Sequence, residues 1–274
     1  MQTVICLGPK ACDIGELFEE KEGFQVKLID KEIEGENCYG LQRQKTPEDY
    51  EKNVPDLSSF FKDACDEILF ITCGDADVLS CSLKILEQVK YKNISVIYLR
   101  PDPMFFTKQG GLQDKLAFNV FQEYARSGLF KRVYLVDETL TELMLEDTPI
   151  TEIYEEYIKL LHNIIVYINS LSDDSLIDHY SPPSDAARIS TFAFYDLKTD
   201  SERQMYTMEM IEHKEYHFFF TEETINSNKK LMREIKEKLK NKVANGTKAC
   251  YTIRRTNSST DFCFVVHNSK AIQI

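Results

Sequence analysis

Cysteine is present without any of its organised patterns. The eight cysteines of the 274-residue chain form no CxxC pair and no Cys/His cluster at zinc spacing, so no metal centre is expected. Cys6, Cys65, Cys73, Cys250 and Cys263 lie in or beside apolar, strand-like runs, where a free thiol acts as a small hydrophobe. That predicts a reducing compartment, not a disulfide scaffold. Positive charge is scarce as well. Against 45 Asp+Glu the chain has 33 Lys+Arg, a net −12 that disfavours nucleic acid and anionic membranes as partners. The local exception is residues 229–242, where Lys229, Lys230, Arg233, Lys236, Lys238, Lys240 and Lys242 accompany Glu234 and Glu237 and read as the solvated face of a helix. Long apolar runs are missing: none approaches ~18 residues, and Met1-Gln2-Thr3-Val4 opens without a charged leader. No membrane insertion is expected, and the predicted location is cytoplasmic.

The chain does hold enough apolar matter for real cores. Its 43% hydrophobic content suits one large α/β domain plus a smaller one. Residues 4–7 form an apolar run ending at Gly8, followed by a helical pattern over 13–20 and a second strand over 24–30. Pro47 with Glu48 starts a helix, and Pro55-Asp56 starts or kinks another that runs to about Ala64. Strands at 68–72, 94–99 and 132–136 alternate with helices at 79–90 and 112–127, the second entered through a turn at Gly110-Gly111. Apolar strands alternating with helices predict a parallel sheet covered on both faces.

Residues 149–171 place Ile150, Ile153, Tyr154, Tyr157, Leu160, Leu161, Ile164, Ile165 and Ile168 at helical spacing, a helix of about 34 Å at 1.5 Å per residue. Its wide apolar face suits burial between two domains. Ser172-Asp173-Asp174 and Ser181-Pro182-Pro183-Ser184 break the pattern. They separate a domain over 1–171, central helix included, from a smaller mixed α/β domain over 185–274. In the latter, strands are expected at 188–195, 206–211, 215–220, 249–254 and 262–267 and a helix at 222–242. A turn at Asn257-Ser258-Ser259 joins two antiparallel strands.

Residues 66–102 read as a buried strand, a turn and a helix. Such a turn holds phosphate through exposed backbone N–H groups, the close approach of glycine and the positive end of the helix dipole. Here it reads Thr72-Cys73-Gly74-Asp75-Ala76-Asp77, with one glycine and two carboxylates that oppose an anion. Other readings stand beside this one. Asp75 and Asp77 are of the type that binds Mg²⁺, although no third acid is placed by the sequence; N-capping by Asp77 is the simpler reading. His213 and His217 have metal spacing on a helix, but Tyr216 and Phe218-Phe219-Phe220 argue for a strand and a structural role. Ser80-Cys81-Ser82 with His162 or His179 offers a nucleophile and a base without a G-x-S-x-G elbow or an ordered third member.

The element order resembles the tubulin/FtsZ superfamily. Gly40-Leu41-Gln42-Arg43-Gln44-Lys45-Thr46-Pro47-Glu48 is similar to that family's glycine-rich loop ending in Asn-Pro-Glu. Glu67-Ile68-Leu69-Phe70-Ile71-Thr72-Cys73-Gly74 looks like the strand feeding its phosphate loop. Arg100-Pro101 with Phe105-Phe106 looks like its Pro-Phe segment, and Tyr134-Leu135-Val136-Asp137-Glu138 like its next strand and sugar-side loop. The resemblance covers most of residues 1–171 and rests on element order beyond them. Against the family pattern, Gly8-Pro9-Lys10-Ala11-Cys12-Asp13 keeps one glycine in the opening loop and inserts a proline that has no N–H to donate. Asp75-Ala76-Asp77-Val78-Leu79-Ser80 replaces the Gly-Gly-Gly-Thr-Gly-(Thr/Ser)-Gly signature. Ile158 stands where a base-reading Asn is expected, while Tyr154 retains an aromatic at the stacking position. Packing is nonetheless the simpler reading of Tyr154, Tyr157 and Tyr167. The loop after the central helix reads Asp178-His179-Tyr180-Ser181-Pro182-Pro183, and its Asp178 aligns with the motif's Asn, not its acid.

This resemblance with its departures implies a structural or assembly-regulating protein of tubulin/FtsZ type, a pseudoenzyme with no cofactor and no catalytic residue. Its partner would be a second copy or another tubulin/FtsZ-like chain. Gly8, Gly74, Asp75, Asp77 and Tyr154 mark the crevice in which the family binds nucleotide. Two alternatives remain open: a divergent filament-forming GTPase that does bind GTP, and an unrelated α/β small-molecule enzyme using the same crevice.

Overall fold

The computed structural model describes residues 1–169, 176–180, 187–242 and 247–274. They fall into two compact units, Met1–Asn163 and Ile164–Ile274. In the first unit, strands β1 (Gln2–Leu7), β2 (Phe24–Lys31), β3 (Cys38–Leu41), β4 (Glu67–Cys73), β5 (Asn93–Arg100) and β6 (Arg132–Asp137) lie in the order β3-β2-β1-β4-β5-β6. Every neighbouring pair is parallel. Residues 3–7 and 68–73 are buried without a break, so both faces of the two central strands are covered. This is why they read as continuous apolar runs instead of alternating ones. Helices α1 (Pro9–Glu16), α2 (Pro47–Lys52), α3 (Ser82–Gln88), α4 (Lys108–Ser127) and α5 (Glu138–Glu142) belong to the connections.

Several local expectations are corrected. Helix α1 starts earlier than residue 13, because Pro9 takes its first position, where a missing N–H is no loss. The helix expected over 55–64 is a series of turns. Asp56 accepts from the Ser58 N–H at 2.9 Å and draws the chain into a local turn, and although the Phe61 N–H reaches the Leu57 carbonyl at 2.9 Å, no helix follows. Leu57 and Phe61 are buried all the same, which accounts for the apolar spacing. Gly110 and Gly111 do not form a turn before α4. They sit inside its first turn, capped by Thr107, which accepts from the Gly110 N–H at 3.0 Å. The helix expected from residue 79 begins as a 3₁₀ turn, Asp77–Cys81, before continuing as α3. Strand β3 is a half-exposed edge that no apolar run announces, and it takes in Gly40 and Leu41 of the stretch read as a loop.

Helix α6 (Ile153–Asn169) is shorter than the 149–171 expected. Through Asn163 it belongs to the first unit, where Tyr157, Ile158 and Leu161 are buried and His162 packs 4.5 Å from Phe18. From Ile164 it belongs to the second, where the Tyr167 ring lies 4.9 Å from Phe219 and 5.0 Å from Phe262. Most of the expected boundary, including Ser172-Asp173-Asp174 and Ser181-Pro182-Pro183-Ser184, lies outside the described residues.

In the second unit, β7 (Leu176–Tyr180), β8 (Ile189–Asp196), β10 (His213–Phe220), β11 (Lys248–Arg255) and β12 (Phe262–Ser269) run in the order β8-β12-β10-β11-β7, with β9 (Ser201–Gln204) against β8. Among the described residues only β10 and β11 of these pair in parallel; their other pairs are antiparallel. Their crossover carries α7 (Glu222–Ser227) and α8 (Leu231–Lys242), whose Ile235 and Leu239 join Tyr216, Phe218, Phe220, Ile253 and Val265 in one buried cluster. The expected single helix over 222–242 is therefore two, interrupted where Asn228 leaves helical geometry and its side chain accepts from the Lys230 N–H. The strands expected to form a hairpin around Asn257 flank β10 instead of pairing. Residues 206–211 are irregular, and their apolar side chains answer to the chain end: Tyr206 donates to the Ile274 carbonyl at 2.9 Å. His213 and His217 fall on one buried face of β10, beside Glu215 and Thr252 respectively. No helix among the described residues is long and apolar enough to cross a membrane.

Candidate functional site

In a parallel sheet, a ligand crevice opens beyond the strand carboxyl ends where the strand order reverses. Here that point lies between β1 and β4, because β2 departs to one side of β1 and β4 to the other. Gly8 follows β1 and Gly74 follows β4, so the structure brings the two glycine turns together. They pack directly on each other: a Cβ placed on Gly8, which holds φ +93°, would stand 2.7 Å from the Cβ of Ala76. Gly74 is equally confined, since its Cβ would stand 2.3 Å from Asp114 Oδ1 and 2.9 Å from the Tyr98 hydroxyl.

Three backbone donors of these turns are engaged within the protein. The Gly8 N–H donates to the Ile29 carbonyl at 2.9 Å, that of Gly74 to Leu99 at 2.8 Å and that of Ala76 to Cys73 at 3.2 Å. Pro9 has none. The acids of the turn have lysine partners. Asp77 does not cap the 3₁₀ turn, where Ala76 holds the cap position, and pairs with Lys31 Nζ at 2.6 Å. Asp75 lies 3.8 Å from Lys10 Nζ, and Lys10 also pairs closely with Glu138 at the start of α5. Cys73 Sγ stands 3.8 Å from the same Glu138. Tyr154, half exposed, donates to Asp13 on α1. Ile158 is buried, and next to it the Tyr157 hydroxyl has no hydrogen-bond partner among the described residues. No group of three or more His, Cys, Asp or Glu among them could hold a metal ion.

Burial raises Glu138 above the usual carboxylate range even though Lys10 pulls it down. Burial likewise raises Asp30, with Asp77 and Asp13 adding to the effect. For Lys10, burial acts to lower the pKa, but Cys73, Glu138 and Asp75 raise it on balance. Burial also pushes the Cys73 thiol well up, so it is an inert thiol, not a nucleophile. Under the crevice, Asp114 is held by the Tyr98 hydroxyl at 2.7 Å and by Arg100 Nε at 3.5 Å.

No protein-family model matches the chain, and no curated protein matches it. Solved structures do. The GTPγS-form protofilament of TubZ from Bacillus thuringiensis serovar israelensis matches with a TM-score of 0.73 at 11% identity, over 98% of this chain and 86% of that one. An empty FtsZ dimer from M. jannaschii matches with a TM-score of 0.65 at 11% identity, over 98% and 88%. The chain has the tubulin/FtsZ fold. GDP-form protofilaments of the same TubZ agree, with a TM-score of 0.67 at 13% identity over 97% and 86%.

Within the tubulin/FtsZ fold, the residues that sequence reasoning marked divide into two sets. Gly8, Gly74, Asp75 and Asp77 meet at the β1/β4 crevice, and Tyr154 reaches it through Asp13. Sequence reasoning did not find the roles of Lys10, Asp13, Lys31, Glu138 and Tyr157. One signal was available: Lys10, Lys31 and Glu138 all lie within three residues of a strand's carboxyl end, where a parallel sheet gathers side chains from distant segments.

Proposed function

We propose that the protein is a tubulin/FtsZ-like assembly module that associates without binding or hydrolysing GTP. The observation that carries this reading is the fate of the turn N–H groups: those of Gly8, Gly74 and Ala76 are bonded internally and Pro9 has none. An arriving phosphate would find these three donors already bonded and would meet the carboxylates of Asp75 and Asp77. Self-association is supported by the assemblies in which the similar structures occur, among them two-stranded and four-stranded TubZ filaments. The partner is then a second copy or another chain of this fold, and the division into domains over 1–171 and 185–274 belongs to the same proposal.

Titration with GTP and sedimentation with and without it test the reading together. Wild-type protein is expected to show no micromolar GTP binding and to pellet, above a threshold concentration, equally with and without nucleotide. Two acids beside a phosphate disfavour it by on the order of 1 kcal/mol each, so Asp75→Gly/Asp77→Gly is expected to raise any residual GTP affinity roughly tenfold or more. Micromolar binding by the wild type that the double change weakens would show the acids acting through a metal. Pelleting triggered by GTP with release of phosphate would move the protein to the GTPases.

A further inference from the structure

We propose that the crevice at the β1/β4 reversal is a binding site for a linear polyamine. This rests on the reading above that the crevice does not take GTP, and it names what the crevice takes instead. Among the described residues, five carboxylates, Asp13, Asp30, Asp75, Asp77 and Glu138, gather there with two cations, Lys10 and Lys31. Each lysine is already paired, Lys31 with Asp77 and Lys10 with Asp75 and Glu138. A group of acids alone would be a solvated surface.

The second observation is the Tyr157 hydroxyl. Its residue is 4% exposed, its oxygen has no hydrogen-bond partner among the described residues, and the charges of Glu138 and Asp75 act on it from the crevice. One carboxylate oxygen of Asp30 is also buried without a hydrogen-bond partner among the described residues. Buried polar atoms are nearly always satisfied, and an orphan hydroxyl beside a group of acids marks a place where a donor arrives from outside.

The chemistry of that donor follows from what is already lodged there. Two primary ammonium groups, those of Lys10 and Lys31, sit against separate carboxylates. The remaining acids form a string of separated charges and no cage, and Mg²⁺ or Ca²⁺ needs several oxygens converging on one point. A phosphate brings acceptors and negative charge where acceptors and negative charge already stand. A linear polyamine brings N–H donors and positive charges spaced along an apolar stem. The half-exposed ring of Tyr154 beside Asp13 offers that stem and its charge an aromatic face.

The experiment is calorimetric titration of the full chain with spermidine, putrescine, Mg²⁺ and GTP at 150 mM salt, paired with thermal melting. Saturable one-site binding of spermidine is expected, with weaker binding of the shorter putrescine. Tyr157→Phe removes the orphan hydroxyl without changing charge. It is expected to weaken spermidine about tenfold, the weight of one hydrogen bond to a charged donor, while the ligand-free variant melts no lower than wild type. Asp75→Asn is expected to weaken binding as well. Glu19→Gln/Glu20→Gln removes two exposed charges beyond the far end of α1 and is expected to leave it unchanged. Spermidine binding that is lacking, indifferent to Tyr157→Phe, or weakened as much by the Glu19/Glu20 change overturns the proposal. Micromolar GTP binding overturns the assembly reading as well, whereas binding of neither ligand sinks the polyamine site alone.

Discussion

Glu202 accepts hydrogen bonds from three side chains at once: Lys214 Nζ at 2.6 Å, the Tyr216 hydroxyl at 2.6 Å and His267 Nε2 at 2.9 Å. Burial acts to raise its pKa, but the three donors hold it well below the usual carboxylate range. A depressed folded value means stability that is complete above the ordinary glutamate pKa of about 4.3 and is lost progressively as pH falls below it. Glu202→Ala is expected to cost about 3 kcal/mol in urea unfolding at pH 7, because Lys214 and His267 lose their acceptor. Glu202→Gln is expected to flatten the acid limb of the stability curve; an unchanged limb would assign acid sensitivity to other carboxylates. A second residue-scale test concerns Gly74. Its replacement by Ala drives a methyl into Asp114, which Tyr98 and Arg100 hold in place, and is expected to cost about 2 kcal/mol. Gly23→Ala meets open space and suffers only its positive φ, about 1 kcal/mol. Equal melting of the two variants would mean that the pocket around Asp114 yields. At this scale the two acids and single glycine of the turn were legible in the sequence. Their lysines were not, since pairs such as Lys31 with Asp77 join segments 46 residues apart that only the sheet order brings together.

Helix starts in this protein are set by side-chain caps as much as by apolar spacing. Thr46, Thr107 and Thr221 each accept from the N–H three residues on, opening α2, α4 and α7. Thr107→Ala is expected to destabilise the first unit by about 1 kcal/mol, with faster hydrogen exchange confined to the first turn of α4. Exchange that quickens throughout α4 would show the helix held by its cap alone and not by Phe118, Phe121 and Ala125 in the core. Strands were read from sequence more faithfully than helices, for a physical reason. A strand buried on both faces, such as β4 or β5, prints a continuous apolar run, whereas apolar spacing near residues 57–61 or 206–208 records burial without regular backbone. Element type also says nothing of pairing partner, so the order β12-β10-β11 could not be read from the turn at Asn257.

Charge is divided between the two units in a way the net value conceals. Residues Met1–Asn163 hold 30 acids and 18 Lys+Arg, leaving −12, while Ile164–Ile274 hold 15 of each, with the basic face of α8 among them. Association of two first units is therefore opposed by net charge, and association that sets the basic face of α8 in one copy against the first unit of another is favoured electrostatically. Sedimentation is expected to fall several-fold between 50 and 500 mM salt as screening shortens its range from about 14 Å to about 4 Å; pelleting that grows with salt would point to apolar contacts between like units. The overall architecture was legible because alternating strands and helices admit few arrangements, while the division of charge emerges only once the units are known. One consequence of the second unit's topology concerns the order in which the protein is made. Strand β12 is the last strand in sequence, yet it lies between β8 and β10. Until it emerges from the ribosome, β8 with β9 on one side and β10 with β11 on the other are two fragments with open edges and no shared ladder. The first unit, whose strands are all complete by Asp137, has no such wait. The nascent chain thus carries a finished domain beside an unfinished sheet, and its exposure to chaperones and to mispairing is concentrated in the time it takes to synthesise the residues between Arg255 and Ser269.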